Sequence, residues 1–262
     1  MDLGLRGKGA LVLGASQGLG LGVARALLAE GANVAISGRS IKTLEQVRAE
    51  LPADQREGCF PVVADLAAPD AAAVLSAGAR AALGEVDILV NNSGGPPTGW
   101  PSAVSVAEME AQFGKMVRPL LALTLDLVPD MRKRGWGRIL TIASSGVLQP
   151  IPHLPISNSL RSALVGFMKT LAGEVAKDGV TVNVLAPGRI ATARTQSVDA
   201  AAAARSGKSE DEVARESTAT IPAGRYGTVE EFGAVAAFLA SQGASYVTGS
   251  IIRVDGGAIR SV

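Results

Sequence analysis

Short apolar runs alternate along the chain with longer stretches whose apolar positions recur at helical spacing. "GALVLG" (9–14) is apolar almost throughout and runs straight into glycines, the pattern of a buried strand. "LGLGVARALLAEG" (19–31) has helical spacing and a glycine stop. "NVAISGR" (33–39) predicts a second strand and "IKTLEQVRAEL" (41–51) a second helix. Further strands are predicted at 59–66, 86–94, 137–145, 180–188 and 250–257, each ending in small or polar residues. Helical segments are predicted near 69–83, 104–134, 158–178 and 228–241.

Strand followed by helix throughout implies parallel strands joined by right-handed crossovers, with helices on both faces. Nearly continuous apolar strands suit a sheet covered on both sides. The expectation is α/β: one doubly wound, Rossmann-type domain over residues 1–262, with about seven strands. No internal repeat or linker interrupts it. The irregular region is 189–225. Its "VDAAAA" tract reads as a soft helix or as disorder, and its place after a strand end suits a lid over a substrate.

Composition narrows the function classes. The chain has 262 residues, 47% hydrophobic and 19% charged, which suits a large core. A net charge of +1 with scattered basic residues gives no electrostatic case for nucleic acid or membrane. One cysteine, Cys59, excludes internal disulfides, and with a single histidine, His153, no metal site is expected. No apolar run is long enough for a membrane span, and glycines interrupt the N-terminal segment where a signal peptide needs apolar residues. A cytoplasmic, unprocessed protein is the expectation.

The first candidate chemistry lies in "GASQGLG". Gly14, Gly18 and Gly20, with Ser16, Gln17 and Leu19 between them, sit between the first strand and the first helix. Glycines there let the backbone approach a pyrophosphate at a helix N-terminus, where free N–H groups and the helix dipole favour an anion. A plain glycine-rich turn would look alike taken alone; the strand–turn–helix context points to a dinucleotide. The second strand ends in Gly38 and Arg39, with no acidic residue to hold a ribose 2′-hydroxyl. An arginine there favours the 2′-phosphate of NADP(H) over NAD(H), unless it is merely a solvated surface residue.

Several motifs occur in order: "GASQGLG", "ADL", "NNSGG", "GRILTIASS", "LAPGRIAT" and "YVTGSIIRVDGG". Over nearly its whole length the sequence resembles the short-chain dehydrogenase/reductase family, and within it the β-ketoacyl-carrier-protein reductase-like branch. The resemblance implies that Asp65 and Leu66 contact the adenine. It implies that Asn92, Ser93 and Gly94 line the ribose side, with Ser93 where the family usually has alanine. Pro187, Gly188, Ile190 and Thr192 would embrace the nicotinamide end. Asn91 and Asn92 also have a structural reading, as side chains bracing neighbouring strands.

The same resemblance exposes a departure. Members of the family reduce a carbonyl with a hydride from the nicotinamide, a proton from a tyrosine, a lysine that tunes the tyrosine and holds the ribose, and a serine that orients the carbonyl. An asparagine on the preceding helix props a water. Here the serine falls on Ser144, the tyrosine position on Ser157, the lysine position on Arg161 and the asparagine position on Met116. Ser157 and Arg161, spaced i,i+4, share a helix face. A serine hydroxyl is a far weaker acid than a phenol, and an arginine stays protonated, so binding survives in this pair and proton transfer does not. The only tyrosines, Tyr226 and Tyr246, lie elsewhere. His153, four residues before Ser157, is the alternative proton source, against the plain reading of a solvated loop histidine. Pro119 is expected to kink or split the 104–134 segment.

Three functions remain open. The first is an NADP(H)-dependent oxidoreductase acting on a small carbonyl or hydroxyl substrate with altered proton chemistry. The second is a cofactor-binding sensor or structural protein. The third is a non-redox lyase on the same fold. The resemblance also implies a homotetramer, with a dimer as minimum. It fits the surplus of apolar positions in 120–128 and 163–173.

Overall fold

The computed structural model describes residues 2–261. Seven strands are present: β1 Gly9–Val12, β2 Asn33–Gly38, β3 Cys59–Val63, β4 Ile88–Asn91, β5 Gly137–Ile142, β6 Val180–Pro187 and β7 Ile251–Val254. They form one parallel sheet in the order β3-β2-β1-β4-β5-β6-β7. The expected doubly wound α/β architecture is therefore observed. The order reverses between β1 and β4, which are paired in register, Val12 against Val90. Neighbouring connections leave the sheet in opposite directions there and open a crevice at the carboxyl ends of the strands.

One face carries α1 Gly18–Ala29, α2 Ile41–Ala49 and α10 Val229–Ala240. Val23, Leu27 and Leu44 pack from α1 and α2 onto β1 and β2, and α10, with Phe232, lies against α1 and over β5 and β6, all without exposed surface. The other face carries α4 Ala71–Leu83, α6 Arg118–Arg134 and α7 Pro155–Val175, whose Leu75, Leu120 and Leu164 fill a second core. The central strands are buried end to end, with neither face left to water. A short turn of helix, α3 Ala53–Arg56, links α2 to β3.

Three departures from the sequence pattern have physical causes. The 104–134 segment is two helices, α5 Val106–Met116 and α6, separated at Val117 (φ −115°, ψ −58°). Pro119 has no N–H to return to the Lys115 carbonyl, so it opens a new helix in its first turn. Helix α7 begins at Pro155, before the expected start near 158, because proline is equally at home in a first turn. The 189–225 region is mostly helical: α8 Ala193–Ser206 and α9 Glu210–Ala219. The alanine tract 200–204 is made of the best helix former, and Thr192 and Ser209 cap the two helices. Among the described residues, no helix is long and apolar enough to cross a membrane.

Candidate active site

A cleft of about 1420 Å³ lies along the carboxyl edge of the sheet, lined by the loops that follow β1 to β6 and by α8 and α9. Its first wall is the β1–α1 turn. Gly14 and Gly18 hold φ of +57° and +59°, which other residues rarely adopt. A β-carbon on Gly14 or Gly20 would come within 2.9 Å of Asn92 Nδ2. That amide donates to the carbonyls of Leu13 (3.1 Å) and Gly14 (3.4 Å). Asn92 thus sews the β4 loop to the glycine turn, as its structural reading holds, while still lining the cleft. Asn91 is buried and donates to Thr124.

Helix α1 starts in this wall without a cap. Its preceding residue, Gln17, makes no side-chain bond to the first turn, and no acidic residue follows. By contrast α2, α5, α8, α9 and α10 are each capped by a serine or threonine hydroxyl. The first-turn N–H groups of α1 are thus left for an outside acceptor. Ser16, Gln17 and Leu19 line the cleft beside them.

At the end of β2, Arg39 lines the cleft with an exposed side chain and no ion-pair partner among the described residues. Asp65 and Leu66 line the same end; the Asp65 carboxylate accepts the Ala67 N–H at 3.0 Å. Ser93 and Gly94 continue the wall from the β4 loop. The Ser93 hydroxyl is buried and has no hydrogen-bond partner. Pro187, Gly188 and Thr192 close the far side.

The catalytic candidates meet at the cleft floor, where Ser144, Ser157 and Arg161 all line it. Ser144 Oγ accepts the Gly146 N–H at 3.1 Å, so its own O–H remains free to donate. Ser157 and Arg161 are 7% and 8% exposed. Arg161 donates to the carbonyls of Ile142 (2.8 Å) and Ser93 (3.4 Å) and so ties β5 and β4 to α7. Burial, and then repulsion from Arg194, bring its pKa down to about 10.

Three of the residues expected at the site lie outside the cleft lining. Gly20 sits behind the turn, where its lack of a side chain leaves room for Asn92. Ile190 is buried and pairs with Gly227. His153 is held at φ +61° by a bond from the Gly99 N–H to its carbonyl, with its ring edge-on to Trp100 at 4.1 Å. Of the expected catalytic candidates, His153 alone does not line the cleft. Neither tyrosine replaces it. Tyr226 donates to Asp199 at 2.8 Å, and Tyr246 is fully exposed.

The cleft also gathers residues that no motif announced: Gln112 and Lys115 from α5, and Arg194 from the first turn of α8. Met116 lines the floor but is otherwise core. Among the described residues, no three histidine, cysteine or acidic side chains gather as a metal site. Cys59 is buried in β3, and loss of hydration raises its thiol pKa to about 11.

With this geometry in place, comparison with known proteins is direct. A family model described as Enoyl-(Acyl carrier protein) reductase matches residues 14–258. The chain belongs to the short-chain dehydrogenase/reductase family. The chain is 37% identical over 253 residues to Nodulation protein G of Rhizobium sp. (strain N33), covering 97% of each chain. It is 36% identical over 257 residues to the 3-oxoacyl-acyl-carrier-protein reductase FabG of Salmonella typhimurium, covering 97% of this chain and 98% of that one. The L-sorbose reductase of Gluconobacter frateurii, solved with NADPH and L-sorbose, superposes with a TM-score of 0.91 at 30% identity, covering 100% of both chains. These relatives include oxidoreductases, and in this chain the cleft lies at the carboxyl ends of the strands.

Proposed function

We propose that the protein is an NADP(H)-dependent oxidoreductase that interconverts a carbonyl and a hydroxyl group on a small substrate, without the tyrosine–lysine pair usual in its family. The uncapped α1 N-terminus carries this reading. It faces a cleft whose β2 end offers an unpaired arginine instead of a carboxylate. A dinucleotide fits the residues present. The free N–H groups of α1 would hold its pyrophosphate, Arg39 its 2′-phosphate, and the otherwise unpartnered Ser93 hydroxyl a ribose hydroxyl. Asp65 and Leu66 would line the adenine end, and Pro187, Gly188 and Thr192 would flank the nicotinamide. That the L-sorbose reductase was solved with NADPH supports the choice of cofactor.

Bound there, the cofactor would supply hydride chemistry toward a carbonyl carbon. The carbonyl electron pair moves to oxygen, and the chain must neutralise it. The free O–H of Ser144 donates to that oxygen and fixes its position. Arg161, buried and charged, adds positive charge beside it. Ser157 lines the same floor but is too weak an acid to give the proton alone. We infer that water entering the open cleft supplies it.

Cofactor choice is tested by calorimetric titration. NADPH should bind more tightly than NADH. Arg39→Ala should weaken NADPH by about tenfold or more, the value of a charge-assisted bond, and leave NADH nearly unchanged. Equal dissociation constants for the two cofactors in the unmodified protein would overturn the assignment.

A further inference from the structure

The loops that follow β4 and β6 stand on either side of β5, so a link between them passes over the end of β5, where Ser144 lies. One side chain makes that link. Arg194, in the first turn of α8 beyond β6, donates from Nη2 to the Pro96 carbonyl beyond β4 at 2.8 Å. A β-carbon at Gly95 would come 2.7 Å from its Nε, 2.8 Å from its Cζ and 3.0 Å from its Nη2. Three nearly equal distances mean that the planar head presents its face to the glycine, which leaves no room there for a side chain. The adjacent glycine differs: a β-carbon on Gly94 would meet nothing within 4 Å.

The other side-chain bonds of α8 and α9 keep to their own side of the cleft. Thr195 bonds to Thr192 and Ile190, Asp199 to Arg189 and Tyr226, and Glu216 to Lys208. Among the described residues, the Arg194–Pro96 bond alone ties 193–219 to the loops after β1, β4 or β5. Little else holds these helices down, since α9 buries no residue and α8 buries two. Arg194 is itself exposed, and no carboxylate among the described residues pairs with it. The contact is therefore one hydrogen bond and one packed face, which thermal motion breaks and remakes.

We propose that Arg194 is a reversible strap across the cleft, with Gly95 as its seat, and that α8 opens and closes over Ser144 by breaking and remaking this contact. The strap is one side chain wide, so it stops a bulky molecule and not water. The inference goes beyond the oxidoreductase reading and stands apart from it, because the strap joins two walls of the chain itself. It also separates the two glycines of the loop by role: Gly95 admits the guanidinium, and Gly94 does not touch it.

The test is the rate at which fluorescein maleimide labels Ser145→Cys, a cysteine placed in the cleft lining beside the end of β5. Cys59 is fully buried and gives the blank, and Tyr246→Cys, at a fully exposed position, reports general reactivity. With reagent scarce, the rate follows the population of open molecules. Gly95→Ala displaces the guanidinium, and Arg194→Met keeps the stem and removes the donor. Each should speed labelling of Ser145→Cys about threefold to tenfold, the value of one hydrogen bond, and leave Tyr246→Cys unchanged. Arg194→Lys, which can still donate to a carbonyl, should speed it less. Amide exchange across 193–206 should rise in step, with the central strands unaffected. The proposal is overturned if Gly95→Ala and Arg194→Met both change the labelling rate by less than about twofold. It is equally overturned if exchange in the central strands rises as much as in 193–206, because the two residues then support the fold and gate nothing. No cofactor enters the assay, so a chain that fails to bind NADPH leaves this test standing, and a failure here leaves the cofactor reading standing.

Discussion

At the scale of single residues, the decisive pair is Ser157 and Arg161. They stand four residues apart on α7 with almost no exposed surface, at the positions we propose in place of the family's acid and its tuning cation. Arg161 keeps the charge, since a pKa of about 10 leaves it protonated at neutral pH. Ser157 offers a hydroxyl but no phenol. Reduction of simple ketones should therefore be slow. The double substitution Ser157→Tyr with Arg161→Lys should raise the rate about 10²–10⁴-fold, the usual contribution of a positioned general acid. The open cleft gives the added ring room, while the lysine loses the forked contact to Ile142 and Ser93 at some cost in stability. Following NADPH oxidation with a panel of carbonyls checks this. A folded, NADPH-binding double variant with no gain would show that proton supply does not limit the rate. Much of the cofactor wall was legible in the sequence, because a glycine turn and an uncapped helix start are local features. Gln112, Lys115 and Arg194 were not legible. They come from three turns of two helices that only the fold brings together, and no spacing in the chain announces them.

At the scale of elements, the strands and most helices follow from apolar periodicity, and the region left open between soft helix and disorder is the one with least of it. Helix α9 buries no residue, and α8 buries only Asp199 and Ala203. These helices are held by capping, by the alanine tract and by one polar latch, none of which makes an apolar stripe. In the latch, the buried Asp199 carboxylate accepts from Arg189 at 2.5 Å and from the Tyr226 hydroxyl at 2.8 Å. It joins α8 to the segment after β6 and to the approach to α10. Tyr226→Phe removes a donor from a buried carboxylate and should loosen the lid by about 1–3 kcal/mol. Amide exchange across 193–219 should accelerate, while exchange in the central strands stays unchanged. Lost hydration, the largest cause, raises the Tyr226 pKa, and the Asp199 charge adds to it, so the neutral donor is favoured in the fold. The latch is thus complete below the ordinary phenol range near ~10 and is lost as pH rises through the higher folded value. A lid whose exchange rates ignore Tyr226→Phe would be held by something other than this bond.

At the scale of the whole molecule, the side of the sheet covered by α4, α6 and α7 leaves an unusual surface. Leu125 on α6 is 55% exposed, and Val106 and Phe113 on α5 are 76% and 41% exposed. The outward face of α7 carries Ala163, Gly166, Thr170 and Gly173, all exposed. A β-carbon on Gly166 or Gly173 would meet nothing within 4 Å. Small residues at three- and four-residue spacing let a second helix approach closely, while neighbouring apolar side chains supply buried area. We propose that these faces of α6 and α7 pair with their copies in a closed two-fold arrangement, and that two such pairs make a homotetramer. Pairing through α7 would also brace the helix that carries Ser157 and Arg161, since motion of its outer face moves its inner one. Light scattering at micromolar concentration should give the mass of four chains. Gly166→Arg places a bulky charge in the centre of the proposed contact and should lower the mass to that of two chains or one. It should lower NADPH turnover with it, while the isolated fold survives because the position is solvent-facing in one chain. A monomer mass for the unmodified protein would refute the assembly, and with it the claim that the active-site helix is steadied from outside.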